Sequence, residues 1–159
     1  MTIRILAVGK LAKSYLREGV EDYSGRIRRH CKFEILEVPE QDGKCNEPYL
    51  REDRLLFDKI DKPAWQNGYC IALSPTCQER QLYSSEKLAA RLAALQSQGH
   101  SSFCFIIGGT NGLGPAVLER ADLQLSFSPL TFPHQLFRLM LCEQIYRCLK
   151  INSGQTYHK

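Results

Sequence analysis

The residues best suited to chemistry lie in the last third of the chain. A glycine-rich segment, Gly108 to Gly114, follows a short apolar stretch, and Tyr157, His158 and Lys159 are the final three residues. Glycine has no Cβ, so its backbone amides and carbonyls can approach a ligand directly. An aromatic ring, an imidazole and an ammonium group can together stack on a base, move a proton and hold an anion. This ending is therefore either an ordinary frayed terminus or a segment that closes over a site.

The glycine segment does not identify a ligand by itself. It lacks the Gly-x-Gly-x-x-Gly pattern of dinucleotide-binding loops and the Gly-Lys-Ser/Thr of phosphate-binding loops, so a phosphate cradle is disfavoured. Two interpretations remain open: close backbone approach to a ligand at a strand end, or a tight turn before Pro115 begins a helix. Under the first interpretation, Gly108→Val is predicted to place a branched side chain in the binding pocket.

Motifs of other enzyme classes are missing from the sequence. It contains no Gly-x-Ser-x-Gly nucleophile turn, no His-Glu-x-x-His zinc motif and no Cys-x-x-Cys pair. The four histidines are far apart along the chain, so hydrolase and metalloenzyme interpretations are poor and no metal ligand is predicted. His134, which follows Pro133, is interpreted as a packing or locally hydrogen-bonded residue.

Length and composition predict one globular domain spanning residues 1–159. The chain is 43% hydrophobic and 24% charged, which suits a single buried core. The apolar stretch at the start of the chain is too short and too charged for a signal peptide, and the sequence has no long apolar run. A soluble, cytoplasmic protein is therefore expected. The seven cysteines are scattered, which indicates reduced and mostly buried thiols. A net charge of +4 permits a nucleic-acid partner without requiring one.

Apolar stretches and helical patterns alternate along the chain. The predicted strands are Ile3 to Val8, Phe33 to Val38, Tyr69 to Leu73, Phe103 to Ile107 and Leu123 to Phe127. The predicted helices are Lys13 to Arg29, Glu47 to Ile60, Ser84 to Gln98, Pro115 to Arg120 and Pro133 to about Ile151. This alternation predicts an α/β fold with a mostly parallel sheet and helices on both faces. The polar stretch from Glu40 to Pro48 is the predicted flexible connector.

Several charged groups favour structural roles over binding. The basic cluster at residues 26–32 follows acidic residues on the same helix, an order that suits a solvated helix better than a dedicated RNA surface. Glu143 and Arg147 are four residues apart and can pair along one helix. Ser84 is predicted to cap the helix that it precedes.

A larger set of residues closely resembles one known family. The matching residues are Ile5-Leu6-Ala7-Val8-Gly9-Lys10, Phe105-Ile106-Ile107-Gly108-Gly109, Gly112, Leu125-Ser126-Phe127-Ser128, Leu130-Thr131-Phe132-Pro133-His134-Gln135, Arg138, Leu141, Glu143-Gln144, Tyr146-Arg147, Gly154 and Tyr157-His158-Lys159. Together they resemble the RlmH family, small bacterial SPOUT-class methyltransferases that act on a pseudouridine of 23S ribosomal RNA. The resemblance covers the whole chain. Thr156 stands where the family usually has proline, and Ser74 to Arg80 lacks the family's Gly-Lys.

The resemblance implies a fold, a partner and a cofactor. It implies a SPOUT-type, trefoil-knotted Rossmann-like domain that forms a homodimer and binds S-adenosylmethionine. The cofactor-binding residues that it implies are Leu73, Gly108, Phe127, Ser128, Pro129, Leu130, Thr131 and Phe132. S-adenosylmethionine carries no phosphate and suits apolar walls with backbone hydrogen bonds, which agrees with the absence of a phosphate cradle.

The implied reaction is methyl transfer to N3 of a pseudouridine in the ribosome. N3 carries a proton that must leave, so we expect His158 to act as base or proton relay, Tyr157 to orient the base and Lys159 to stabilise charge. Arg138 and Arg147 are predicted to contact RNA, with Glu143 orienting an arginine. Two alternatives stay open: an inactive ribosome- or RNA-binding α/β domain, and a different small-molecule enzyme on a similar fold.

Overall fold

The computed structural model describes residues 1–41, 48–61, 68–73 and 82–155. Strands and helices alternate along these residues, as the sequence patterns predict. The strands are β1 (Thr2–Val8), β2 (Lys32–Val38), β3 (Tyr69–Leu73), β4 (Ser102–Ile107) and β5 (Leu123–Leu125). The helices are α1 (Ser14–Arg28), α2 (Pro48–Ile60), α3 (Ser85–Ser97), α4 (Pro115–Arg120) and α5 (His134–Asn152).

The described strands form one sheet in the order β2-β1-β4-β3-β5, and every neighbouring pair is parallel. The predicted mostly parallel sheet is thus confirmed. In a parallel sheet the carboxyl ends of all strands lie along the same edge, which is where open α/β sheets build ligand sites. The segments that leave β3, β4 and β5 are neighbours at this edge, although 34 positions separate the ends of β3 and β4 in sequence.

Helices cover both faces of the sheet, as predicted. Successive strand residues point to opposite faces, so Ile5 joins the core under α1, α3 and α5, whereas Leu6 joins the core under α2 and α4. On the first face the inner side of α5 contributes Leu141, Cys142 and Ile145, all of them fully buried. This burial fixes α5 against the sheet and aims its first turn at the carboxyl ends of the strands.

Local hydrogen bonds explain two of the element boundaries. The Ser84 hydroxyl accepts a hydrogen bond from the Lys87 amide at 3.2 Å, which confirms the predicted cap of α3. The fifth strand is shorter than predicted, because it ends at Leu125 rather than Phe127. Ser126 instead makes an isolated parallel bridge with Leu82, and its hydroxyl donates to the Ser128 carbonyl at 3.0 Å, so the chain turns at this point.

The described cysteines fit the predicted reduced, mostly buried state. Cys31, Cys70, Cys104, Cys142 and Cys148 are free, and all of them except Cys31 are buried. Burial raises the pKa of the Cys142 and Cys148 thiols to about 12, so both stay protonated at neutral pH. Among the residues that the structure describes, no helix is long and apolar enough to span a membrane.

Candidate functional site

A cavity of about 570 Å³ opens at the carboxyl edge of the sheet. It lies between the ends of β3, β4 and β5 and the first turn of α5. Its lining residues are Leu73, Ile107, Gly108, Gly109, Thr110, Gly112, Ser126, Phe127, Ser128, Leu130, Thr131, Phe132, Pro133, His134 and Phe137. This set of described residues contains no lysine, arginine or carboxylate. The cavity therefore offers apolar walls, backbone groups and hydroxyls, and it suits a ligand without phosphate.

The structure brings together most of the residues for which cofactor binding is predicted. Leu73, Gly108, Phe127, Ser128 and the range 130–132 all line this one cavity. Pro129 does not line it and is exposed. The predicted residues come from three separate strand ends, so their convergence is a result of the parallel sheet and not of sequence proximity.

The segment after β5 forms a turn that is held by its own serines. The Leu130 amide donates to the Ser128 hydroxyl at 3.0 Å, which fixes the turn that carries Leu130 and Thr131. Beside this turn, the ring centroid of Phe137 lies 4.9 Å from that of Phe127 and 6.4 Å from that of Phe132. Three aromatic rings therefore form a continuous apolar wall between the turn and α5.

A side chain at position 108 would take a different path from the one predicted. A Cβ on Gly108 would lie 2.2 Å from both the carbonyl carbon and the oxygen of Gly112, and 2.7 Å from the Leu113 nitrogen. The side chain of Gly108→Val would thus collide with the backbone of its own loop, and the prediction that it would enter the pocket is wrong. Glycine is needed here because the loop folds back on itself, while its backbone still lines the cavity.

Acidic side chains support the glycine loop from outside the cavity. Glu40 Oε1 accepts hydrogen bonds from the Thr110 amide at 2.9 Å and from the Thr110 hydroxyl at 2.6 Å. These bonds lower the pKa of Glu40, so the carboxylate is ionised at neutral pH. On α2, buried Asp53 accepts from the Gly114 amide at 3.3 Å. Burial raises the pKa of Asp53 and of its neighbour Glu52.

Arg138 lies in the interior and not on an RNA-facing surface. It is 0% exposed, forms an ion pair with Glu37 of β2, and donates to the Gly9 carbonyl at 2.8 Å. A second, longer contact of 3.4 Å reaches the Val8 carbonyl. The prediction that Arg138 contacts RNA does not fit this placement, because the guanidinium is covered by protein. Arg138 instead fastens α5 to the carboxyl ends of β1 and β2.

Arg147 remains at the surface, next to a second groove. Its guanidinium contacts Glu143 at 2.8 Å, which confirms the pairing expected from their spacing on α5. Glu143 lines a groove of about 660 Å³, and Phe127 borders both this groove and the cavity. The Ser85 hydroxyl donates to Gln144 at 2.6 Å on the same wall, which joins the start of α3 to α5. The Glu143–Arg147 ion pair agrees with the prediction that Glu143 orients an arginine.

Comparison with known proteins decides the family. A family model described as "Predicted SPOUT methyltransferase" matches residues 1–158. The chain belongs to the SPOUT methyltransferase family. Its relatives include the "Ribosomal RNA large subunit methyltransferase H" of Limosilactobacillus reuteri, which is 43% identical over 166 residues. The protein of the same name from Clostridioides difficile is 43% identical over 163 residues, and each alignment covers 100% of both chains.

Solved structures support the SPOUT fold at low sequence identity. A probable methylase family protein from Haemophilus influenzae has a TM-score of 0.59 at 11% identity, over 99% of this chain and 70% of its own. A probable methyltransferase from Bordetella pertussis has a TM-score of 0.56 at 11% identity, over 92% of this chain and 93% of its own. At such identities the likeness concerns the fold alone. The trefoil knot that the resemblance implies stays a prediction.

Some predicted residues of this SPOUT chain lie outside the described residues. These are Tyr157, His158 and Lys159, together with the divergent segment from Ser74 to Arg80 and most of the predicted connector from Glu40 to Pro48. The basic cluster after residue 25 is partly paired within α1, where Arg26 contacts Asp22 at 2.7 Å and Arg28 contacts Glu21 at 2.8 Å. These contacts agree with a solvated helix.

Residue-by-residue interpretation misses three contributors to the SPOUT cavity. Glu40 supports the glycine loop, and Phe137 completes the aromatic wall. His134 lines the cavity, and its buried Nε2 has no hydrogen-bond partner among the described residues, so the packing role predicted for this residue is incomplete. A positional signal was available for two of them. Glu40 follows the end of β2 by two residues and His134 begins α5, and both places belong to the edge where parallel sheets bind ligands.

Proposed function

We propose that this chain transfers a methyl group from S-adenosylmethionine to N3 of a pseudouridine in 23S ribosomal RNA. The observation that carries the proposal is the cavity at the carboxyl edge of the sheet, in a SPOUT chain 43% identical to proteins named ribosomal RNA large subunit methyltransferase H. The whole chain would act as one domain, and the ribosome as substrate would place the enzyme in the cytoplasm.

The described cavity fits S-adenosylmethionine in size and chemistry. A volume of about 570 Å³ lies within the usual range of small-molecule sites. The aromatic wall of Phe127, Phe132 and Phe137 suits an adenine ring, and backbone groups beside Leu73 and Gly108 suit its polar edge. The cofactor contains no phosphate, which agrees with the absence of lysine and arginine among the described lining residues.

The chain's own residues must prepare the acceptor nitrogen. When bound, S-adenosylmethionine supplies an electrophilic methyl group on a sulfonium. N3 of pseudouridine carries a proton, and it becomes a good nucleophile when that proton leaves. In the proposal His158 accepts the proton, Tyr157 stacks against the base, and Lys159 stabilises the negative charge that develops on it. Arg147, oriented by Glu143, binds an RNA phosphate near the groove.

We further propose that two copies of the chain form the working enzyme. The family resemblance implies a homodimer, and the surface of α5 supports it. After α5 has buried one side against the sheet, Leu136 is still 38% exposed, and Leu139 and Met140 line the open groove beside it. An apolar stripe on the outer side of a helix suits an interface between symmetric copies.

Light scattering should report a particle of about twice the chain mass of 18.2 kDa. Leu136→Asp places a charge on the proposed interface and should shift the particle toward the monomer, because burying an unpaired carboxylate is costly. Ala116→Asp, on the exposed side of α4 at the opposite face, is the matched control and should stay dimeric. A monomeric wild-type protein that transfers methyl groups at full rate would contradict the proposal.

The central test uses labelled S-adenosylmethionine and ribosomes that lack the modification. The purified protein should bind the cofactor in calorimetry and should transfer labelled methyl to 23S ribosomal RNA. Ribosomes that carry uridine in place of the target pseudouridine are the matched control and should not be labelled. Binding of ribosomes without cofactor binding would favour the inactive RNA-binding domain. Cofactor binding without transfer to the pseudouridine-containing ribosome would favour a different small-molecule enzyme.

A further inference from the structure

We propose that Glu40 is a positioning residue for the cofactor cavity, which it shapes by holding Thr110 of the glycine loop without touching the cofactor itself. The inference rests on the proposed function, because it assumes that the cavity binds S-adenosylmethionine. Glu40 follows β2, and β2 lies at the edge of the sheet farthest from β5. A residue from the opposite side of the sheet would thus control one wall of the cavity.

The first observation is the close fit between Glu40 and the loop. The carboxylate accepts two hydrogen bonds from Thr110, at 2.9 Å from the amide and 2.6 Å from the hydroxyl. A Cβ on the preceding residue, Gly109, would lie 3.1 Å from Glu40 Oε1 and 2.9 Å from Val8 Cγ1. The loop backbone therefore rests directly on this carboxylate and on the end of β1, with no room for a side chain between them.

The second observation concerns the other carboxylate oxygen. Glu40 Oε2 lies 3.2 Å, and His134 Nε2 3.4 Å, from the position that a Cβ on Gly9 would take. Both polar atoms therefore face the same small space beside Gly9. Glu40 thus stands between the glycine loop and the first residue of α5, and Thr110 and His134 both line the cavity.

The physical reason for such an anchor is the composition of the loop. Gly109, Gly112 and Gly114 leave its backbone with few intrinsic restrictions, so ordering it around a ligand costs entropy. An ionised carboxylate that accepts two hydrogen bonds reduces this cost before the ligand arrives. The anchor should therefore increase cofactor affinity, and it should contribute little to the chemical step once the cofactor is bound.

A double-mutant cycle on cofactor affinity tests the inference. Glu40→Ala removes the carboxylate, and Thr110→Val removes the hydroxyl at nearly constant volume while the amide remains. Calorimetry with S-adenosylmethionine should show Kd raised about 5- to 10-fold for Glu40→Ala and about 3-fold for Thr110→Val. The double variant should be no weaker than Glu40→Ala alone, because both changes break the same contact. Thr110→Ser keeps the hydroxyl and should bind S-adenosylmethionine more tightly than Thr110→Val, which tests rescue by the hydroxyl.

Two further readouts separate positioning from general structure. The KM for S-adenosylmethionine should rise in Glu40→Ala, while kcat at saturating cofactor should change by less than about 2-fold. Glu34→Ala is the matched control, because it removes a carboxylate from β2, the strand that Glu40 follows. Glu34 pairs with Arg4 at 3.2 Å at the amino end of β2, far from the cavity, and its loss should leave Kd unchanged.

The possible outcomes distinguish this inference from the proposed function. A wild-type protein that does not bind S-adenosylmethionine removes the proposed function, and this inference with it. A wild-type protein that binds, with Glu40→Ala binding equally well, overturns this inference alone. It is also overturned if the effects of Glu40→Ala and Thr110→Val multiply in the double variant, because the two residues would then act independently.

Discussion

Gly108→Ala should lose S-adenosylmethionine binding and should unfold at lower denaturant concentration than the wild type. The added Cβ would lie 2.2 Å from the Gly112 backbone, a distance that can be relieved only by displacing the glycine loop. Overpacking of this kind costs about 2 to 3 kcal/mol in the free energy of unfolding. The displaced loop would also move one wall of the cavity, so cofactor affinity should fall by at least about 10-fold. Calorimetry and urea unfolding measure the two effects.

A second glycine provides the control for this prediction. Gly25, near the carboxyl end of α1, has no atom from outside its own stretch of helix backbone within 4 Å of its hypothetical Cβ. Gly25→Ala should bind cofactor like the wild type and should be more stable by up to about 1 kcal/mol, since alanine favours a helix over glycine. If Gly108→Ala kept full affinity and stability, the close approach of Gly108 to Gly112 would not be a requirement of the fold.

Deleting Tyr157, His158 and Lys159 should impair methyl transfer and leave stability and cofactor binding nearly unchanged. Methyl transfer should fall by at least about 100-fold, the usual scale for loss of an acid or base. The free energy of unfolding should change by less than about 0.5 kcal/mol, because α5 ends at Asn152 and the deletion begins beyond it. Cofactor affinity should change far less than turnover. Single-turnover transfer to unmodified ribosomes, calorimetry and urea unfolding give the three values.

His158→Ala alone should lower the rate at saturating cofactor and ribosome. Raising the pH should partly restore it, because a larger fraction of N3 then loses its proton without help from the enzyme. His30→Ala is the matched control, since His30 is exposed and precedes β2 at the opposite edge of the sheet, and its rate should be unchanged. An unchanged rate for the truncated protein would direct the search for the base to His134, whose Nε2 has no hydrogen-bond partner within the part of the chain that the structure describes.

These two predictions separate the parts of the proposed mechanism. If Gly108→Ala loses both cofactor binding and stability, Gly108 is part of the framework that shapes the cavity. If the deletion of the last three residues lowers turnover while cofactor binding and stability are retained, the carboxyl terminus takes part in catalysis. If instead Gly108→Ala lowered only turnover and the deletion lowered cofactor binding and stability, the residues assigned to the cofactor site and to catalysis would have to be exchanged.

Local patterns in the sequence were sufficient for the elements, and the family resemblance was sufficient for much of the cavity. Apolar runs and helical spacing predicted every described strand and helix to within about two residues at each end, and their alternation predicted the parallel sheet. Phe127, Ser128 and residues 130–132, which line the cavity, were assigned to it by the family resemblance, and their place after β5 agrees with that assignment. Side-chain period and turn chemistry are local properties, so they can be interpreted from neighbouring residues alone.

Contacts between distant residues were decided only by the tertiary structure. The presence of an arginine in the sequence says nothing about its burial, and Arg138 is covered because Glu37 and Gly9, more than 100 positions away, supply its acceptors. The Glu40–Thr110 contact joins residues 70 positions apart. It forms because β2 and β4, which precede these residues, both lie beside β1 in the sheet. Strand order and helix docking depend on the sum of many weak packing terms. This sum determines which polar groups come into contact, and no local pattern of residues encodes it.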